Sequence, residues 1–234
     1  MTPGRDRLRI SFVVPTLNEA PDIAAALGAL APLRARGHEV ILVDGGSTDG
    51  TLQIAADKVD QSIAAPRGRA SQMNAGARIA TGDVLVFVHA DTRLPVDADL
   101  AIARELERSG GMWGRFDVSI DSAAPLLGLV ARAMNARSRL SGIATGDQAI
   151  FVRRAEFAAV GGFPALALME DVAMSRLLKR RSQPICLTER AVTSGRRWES
   201  KGVLRTIALM WWLRLRYFLG ASPDRLARSY DARD

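Results

Sequence analysis

Residues 39–50, EVILVDGGSTDG, decide how the rest of the chain is read. The Val, Ile and Leu run is too short for a helix and the right length for a buried strand, and the acid, glycines and small polar residues behind it form turns. Working outward, ISFVV at 10–14 and VLVFV at 84–88 repeat the pattern, each followed by polar or turn-forming residues. Between the first two runs Ile23, Leu27 and Leu30 recur at helical spacing, and Pro21 sits where a first helical turn tolerates proline. A helix from about Thr51, a short strand near Ser62 to Ala64 and a helix over Ser71 to Ala80 carry the alternation to Val84. Strands alternating with helices predict an α/β fold, a Rossmann-like, mostly parallel central sheet flanked by helices. Such sheets bind ligands in the crevice beyond the carboxyl ends of their strands.

The residues just past each strand therefore matter most. They are Pro15-Thr16-Leu17-Asn18-Glu19, Asp44 to Gly50, Pro66-Arg67-Gly68-Arg69 and His89-Ala90-Asp91-Thr92. Acids, small residues and arginines gathered at four strand ends suit a nucleoside diphosphate. After residue 115 the pattern loosens into a strand-like Phe116 to Ile120, a helix-like Leu126 to Leu140 and a strand candidate at Ala149 to Val152. Residues 203–219 read as an apolar helix with Trp211, Trp212, Tyr217 and Phe218, and its arginines share no one side, so no amphipathic face emerges.

Composition narrows the class. With 234 residues, 48% hydrophobic and 24% charged, the chain suits one domain with a C-terminal extension: a tail at 1–9, a domain at 10–200 divided near 115, and a basic, aromatic helical extension at 201–234. The single cysteine, Cys186, excludes an internal disulfide, and the absence of a basic leader followed by an apolar stretch predicts a cytoplasmic protein. The longest wholly apolar run near the C-terminus, Ile207 to Leu213, is far shorter than the roughly 20 residues of a spanning helix. The net charge is +7, and the basic excess lies wholly in residues 117–234, with 19 basic and 11 acidic groups against 13 and 14 in residues 1–116. That half is expected to meet a phosphorylated substrate or the inner, anionic face of a membrane; nucleic-acid binding has only this charge in its favour.

Each chemical candidate has a plainer alternative. Asp44 can bind a ribose hydroxyl or base N–H, or close an Asx-turn. Ser47, Thr48 and Asp49 are expected to cap the following helix rather than touch a ligand. Asp91 can hold a divalent cation shared with phosphate oxygens, or cap its loop, with His89 a satisfied buried histidine. Arg67 and Arg69 match phosphate geometrically but can be solvated. Glu170-Asp171 either offsets the dipole of the helix it opens or supplies a general base.

Taken in order, PTLNE after the first strand, VDGGSTDGT after the second, the GDVLVFVHAD approach to Asp91, and the later GGF followed by Glu170-Asp171 resemble family 2 glycosyltransferases, which have the GT-A fold. The resemblance covers roughly residues 10–180. It implies an inverting transfer of a sugar from a nucleoside-diphosphate sugar to an acceptor hydroxyl with a bound Mn or Mg ion. Asp91 then stands for the last acid of the D-x-D motif and His89 replaces its first acid, the two being the candidate metal residues; Asp171 stands for the catalytic base, with Glu170 as its catalytic neighbour. On the donor side the resemblance places Pro15, Thr16, Asn18, Glu19, Asp44, Gly45, Arg69 and Ala90; towards the acceptor, Gly146, Asp147 and Gln148. Arg197-Trp198 resembles the end of the Q-x-x-R-W motif of processive members, and Ser194 in place of its glutamine argues against a polysaccharide synthase. Gly45 replaces the second acid of the common V-D-D-G-S form, so uridine diphosphate is expected to bind best, by a reduced margin over guanosine diphosphate. A lipid-linked or phosphorylated acceptor and a homo-oligomer complete the expectation. The competing readings are a sugar-phosphate nucleotidyltransferase, for which a glycine-rich loop after the first strand is lacking, and a non-catalytic nucleotide-sugar binder at a membrane.

Overall fold

The computed structural model describes residues 8–231, apart from the side chains of Arg197, Lys201 and Asp231. The first half alternates as expected: β1 (Ile10–Thr16), α1 (Ala20–Ala35), β2 (Glu39–Asp44), α2 (Thr51–Ala55), β3 (Gln61–Ala64), α3 (Arg69–Ile79) and β4 (Val84–Phe87). There follow β5 (Thr92–Arg93), α4 (Ala98–Ser109), β6 (Trp113–Asp121), α5 (Pro125–Ser141), a single tight turn at Gly146–Gln148, β7 (Phe151–Arg153), α6 (Arg154–Ala159), α7 (Glu170–Lys179), β8 (Ile185–Ser194), α8 (Arg196–Lys201), α9 (Val203–Phe218) and α10 (Pro223–Asp231).

The strands form one sheet in the order β3-β2-β1-β4-β7-β6-β8-β5. Its first four strands are parallel, β7 runs against both β4 and β6, β8 is parallel to β6, and β5 runs against β8. The parallel half is why ISFVV and EVILV read as continuous apolar runs: helices cover both faces, and every residue of β1 and β2 is buried. Successive side chains still alternate between layers. Phe12, Val14 and Leu42 join α1 and α4 in one core, whereas Val13, Ile41 and Val43 join α3, α6 and α7 in the other. On that second face α3 approaches so closely that a Cβ at Gly76 would lie 2.5 Å from Val13 Cγ1 and 2.9 Å from Val43 Cγ2.

A third, smaller cluster packs Leu213 of α9 and Leu226 of α10 on Met169 and Val172 at the start of α7. The C-terminal helices therefore lie against the Glu170-Asp171 pair. This also explains why no amphipathic face was visible in residues 203–219: Thr206 and Leu213 are buried, while Leu204, Trp211, Leu215 and Phe218 stay exposed.

Candidate active site

The loops after β1 and β2 are sewn together by backbone-to-side-chain hydrogen bonds. Asn18, held at φ 54°, accepts the Thr48 N–H at its Oδ1 (2.8 Å) and donates its own N–H to Ser47 Oγ (2.9 Å). Asp49 accepts N–H groups from Ala20 (3.0 Å) and Thr51 (3.1 Å), so one carboxylate satisfies orphan donors at the starts of α1 and α2. Asp44 takes the Asx-turn arrangement: its carboxylate accepts Gly46 N–H (2.9 Å), Ser47 N–H (2.9 Å) and Ser47 Oγ (2.5 Å). Thr16 and Pro15 are buried in β1, and the Thr16 hydroxyl donates back to the Val14 carbonyl at 3.1 Å. These hydrogen bonds tie the two loops to each other.

Gln72, which belongs to no motif, fills the space above Gly45. Its Nε2 donates to the carbonyls of Thr16 and Val43, both at 2.8 Å, and a Cβ at residue 45 would press on its amide at 3.1–3.3 Å. The acid of the more common motif is therefore replaced by a pair, Gly45 with Gln72.

A cleft of about 150 Å³ gathers Arg69, His89, Asp91, Gly146, Asp147, Glu170, Asp171 and Trp198 from five separate segments. Pro15, Thr16, Asn18, Glu19, Asp44, Gly45 and Ala90 do not line it. Gln148 is wholly buried: its Oε1 accepts the Thr145 N–H at 3.2 Å and its Nε2 donates to Asn135 Oδ1 at 3.3 Å, so it shapes the tight turn rather than facing the cleft. The Arg197 side chain lies outside the described residues. Thr193, Ser194, Arg214 and Tyr230 also line the cleft. Arg214 and Tyr230 come from the C-terminal helices, where nothing in the sequence ties either residue to strand ends more than a hundred positions away.

Met169 (φ 69°), which lines the cleft, and Ala149 (φ 44°), buried just past the tight turn, adopt left-handed backbone conformations that cost non-glycine residues free energy. Met169 immediately precedes the acid pair and turns it inward at the start of α7. The two acids then diverge. Asp171 Oδ2 accepts the Gly146 N–H at 3.0 Å and Oδ1 accepts the Val172 N–H at 2.7 Å. Glu170 is buried, and burial first, then the Asp171 charge, raises its pKa above the usual value. Asp147 is pulled the other way. Enclosure opposes its ionisation, but the His89 contact and the charges of Arg69 and Arg214 outweigh it, and its pKa is lowered.

His89 faces Asp147, Nδ1 to Oδ1 3.5 Å, and its ring occupies the space a Gly146 side chain would need, with Cε1 2.1 Å from that Cβ position. Asp91 is half-buried and accepts the Thr92 hydroxyl at 3.2 Å. Across the cleft's edge Glu19 is held above its usual pKa, first by burial and then by the Asp91 charge. Among the described residues no group of three or more His, Cys, Asp or Glu side chains is arranged to hold a metal alone. One carboxylate with a second nearby nevertheless suits a cation that shares its remaining positions with substrate phosphates.

Residues 11–126 match the model of Glycosyl transferase family 2. A PGL/p-HBAD biosynthesis glycosyltransferase of Mycobacterium bovis is 40% identical over 91 residues, and the match covers 36% of this chain and 36% of that relative's length. Among solved structures, S. aureus TarS 1-349 in complex with UDP superposes with a TM-score of 0.65 at 19% identity, over 80% of this chain and 60% of that one. The mannosyltransferase PcManGT from Pyrobaculum calidifontis, in complex with GDP-Man and Mn2+, gives 0.61 at 23% identity, over 80% and 57%. The fold is GT-A, and through its residues 11–126 the chain belongs to glycosyl transferase family 2.

Proposed function

We propose that the protein transfers a sugar from a nucleoside-diphosphate sugar to an acceptor hydroxyl, with inversion at the anomeric carbon. The observation that carries this reading is the convergence of Asp171, Asp91 and Arg69 on one cleft at the carboxyl ends of the parallel strands. Asp171 is the base. The Gly146 and Val172 N–H groups hold its carboxylate in place, and it takes the acceptor proton as the acceptor oxygen attacks, a role worth about 10² to 10⁴ in rate. The bond from the anomeric carbon to the diphosphate breaks, and its electron pair leaves with the diphosphate. Arg69 stabilises that developing charge. Asp91, with Glu19 near it, would hold a Mn or Mg ion, which supplies further neutralisation of the diphosphate. His89 keeps Asp147 and the tight turn in register.

The family membership and the nucleotide complexes of the two structural relatives support the donor class. On the loop geometry, uridine is the preferred base, with its margin reduced because Gln72 stands where an acid would. The exposed Leu215 and Phe218, which lie outside the α5–α9 groove, beside Arg205 and Arg216 on α9, suit an anionic membrane surface.

A thermal-shift panel of UDP-, GDP-, dTDP- and CDP-sugars with Mn tests the reading, since a ligand at about 100 times its Kd adds roughly 2.7 kcal/mol. A shift with a UDP-sugar that chelator removes is the expected result. No shift with any nucleotide sugar would exclude the donor class.

A further inference from the structure

Between α5 and α9 runs an apolar groove of about 820 Å³, within the roughly 300 to 1,000 Å³ range of small-ligand sites. Leu126, Leu129 and Leu140 of α5 form one wall, and Ile207, Met210 and Trp211 of α9 the other. Leu129, Leu140 and Trp211 are 60, 89 and 71% exposed, a concentration of apolar surface that marks a binding face. The groove is continuous with the acid-lined cleft, because Trp198, Met210 and Arg214 line both.

Arg137 sits on the groove side of that junction. Its Nη1 reaches the Ile143 carbonyl at 3.3 Å, but its Nε and Nη2 are buried without a hydrogen-bond partner among the described residues. Burial, and then the nearby Arg214 charge, lowers its pKa to about 10, so at neutral pH it remains a cation. Buried donors on a charged group are costly to leave unmatched, and an anionic group offers the acceptors they lack. A channel that is apolar along its length and cationic at the end nearest Asp171 has the polarity of a single-chain amphiphile. A second copy of this chain fits less well, because α5 and α9 carry the exposed Arg132, Arg205 and Arg216 and a symmetric contact would bring like charges together.

We propose that this groove holds the hydrocarbon chain of an amphiphilic acceptor whose anionic group binds Arg137 and Arg214, which brings the acceptor hydroxyl to Asp171. The role as acceptor rests on the glycosyl-transfer reading; binding in the groove does not.

The test titrates the full chain with monomeric dibromostearate and follows tryptophan fluorescence, since bromine quenches an indole it touches and Trp198 and Trp211 line the groove. Quenching should saturate, and removing two methylenes should weaken binding by about tenfold. Ala133→Trp, at an exposed position of α5 on the groove wall, should abolish it without altering the fold. Arg137→Gln should weaken dibromostearate by about tenfold and leave the corresponding dibromo alcohol unchanged. Unsaturable quenching, or quenching that survives Ala133→Trp, overturns the proposal. So does quenching confined to vesicles, which makes the face a membrane contact, or a dimer in sedimentation that Ala133→Trp dissociates. Nucleotide-sugar thermal shifts on the same samples separate the two claims. Groove binding without donor binding sinks sugar transfer, and donor binding without saturable quenching sinks the groove alone.

Discussion

Gly146→Ala tests how the tight turn organises the cleft. An added Cβ would sit 2.1 Å from His89 Cε1 and 2.2 Å from Nε2, more than 1 Å closer than the 3.4 Å at which ordinary contact begins. His89 is only 9% exposed, and Gly146 itself donates to Asp171, so neither side moves without disturbing the acids. Overpacking of this kind costs about 1 to 3 kcal/mol. The Gly146 φ lies outside the left-handed region, so the usual chain-entropy gain of Gly→Ala, about 0.4 to 1 kcal/mol, opposes the clash without cancelling it. A net loss of roughly 1 to 2 kcal/mol lowers Tm by about 2 to 4 °C per kcal/mol in a chain of this size. The assay is a double-mutant cycle in thermal unfolding: once His89→Ala has removed the ring, Gly146→Ala should become neutral or stabilising. An equal loss in both backgrounds, or none in the wild type, would refute the argument.

Three other outcomes are expected. Asp99 is buried, which opposes its ionisation, yet the Arg36 fork and His38 Nε2 bring its pKa to about 2 from 3.8. Its folded pKa is thus depressed, and roughly 2 kcal/mol of stability present above about pH 4 should vanish as pH falls towards 2; a Tm gap between wild type and Asp99→Asn that ignores pH would contradict this. Glu170 is shifted upward, so its favourable protonated form stabilises the fold below about pH 4.5 and that contribution is lost as pH rises. Glu170→Gln should therefore match the wild type in acid and exceed its Tm at pH 7, and a less stable variant at pH 7 would count against the assignment. Asp91→Asn should remove the response of nucleotide-sugar binding to Mn, measured by titration with and without chelator. An unchanged response would move the cation elsewhere.

The parallel half of the fold was legible because its strands are buried on both faces and so write themselves as runs such as EVILV, with the ligand-side residues directly behind. β8 was not. Only Leu187, Ala191 and Thr193 of its ten residues are buried, and ICLTERAVTS mixes charge into the strand, yet it pairs with β6 from Gly114↔Ile185 to Asp121↔Ser194. In the site, Arg69, Asp91 and the Glu170-Asp171 pair could be singled out as candidates from position, since each stands at a strand end or a helix start, but position left a plainer role open for each and only the resemblance assigned them chemistry. Asn18 and Asp44 were legible as strand-end residues, but which of their alternative roles they take depends on the hydrogen bonds between two loops. Arg137 could not be found, and Arg214 was legible only as one arginine of an aromatic helix. Each is one of three arginines on its helix, and only the packing of α9 beside α5 brings the two together.

The most direct test of the central claim is release of nucleoside diphosphate from the preferred nucleotide sugar, compared between wild type and Asp171→Asn. If Asp171 takes the acceptor proton, the variant should lose at least about a hundredfold in turnover while its donor Kd stays the same. Wild-type turnover in Asp171→Asn, with Glu170→Gln inactive, would show that Glu170, not Asp171, is the base. No release by the wild type with any nucleotide sugar and any acceptor amphiphile would contradict glycosyl transfer itself.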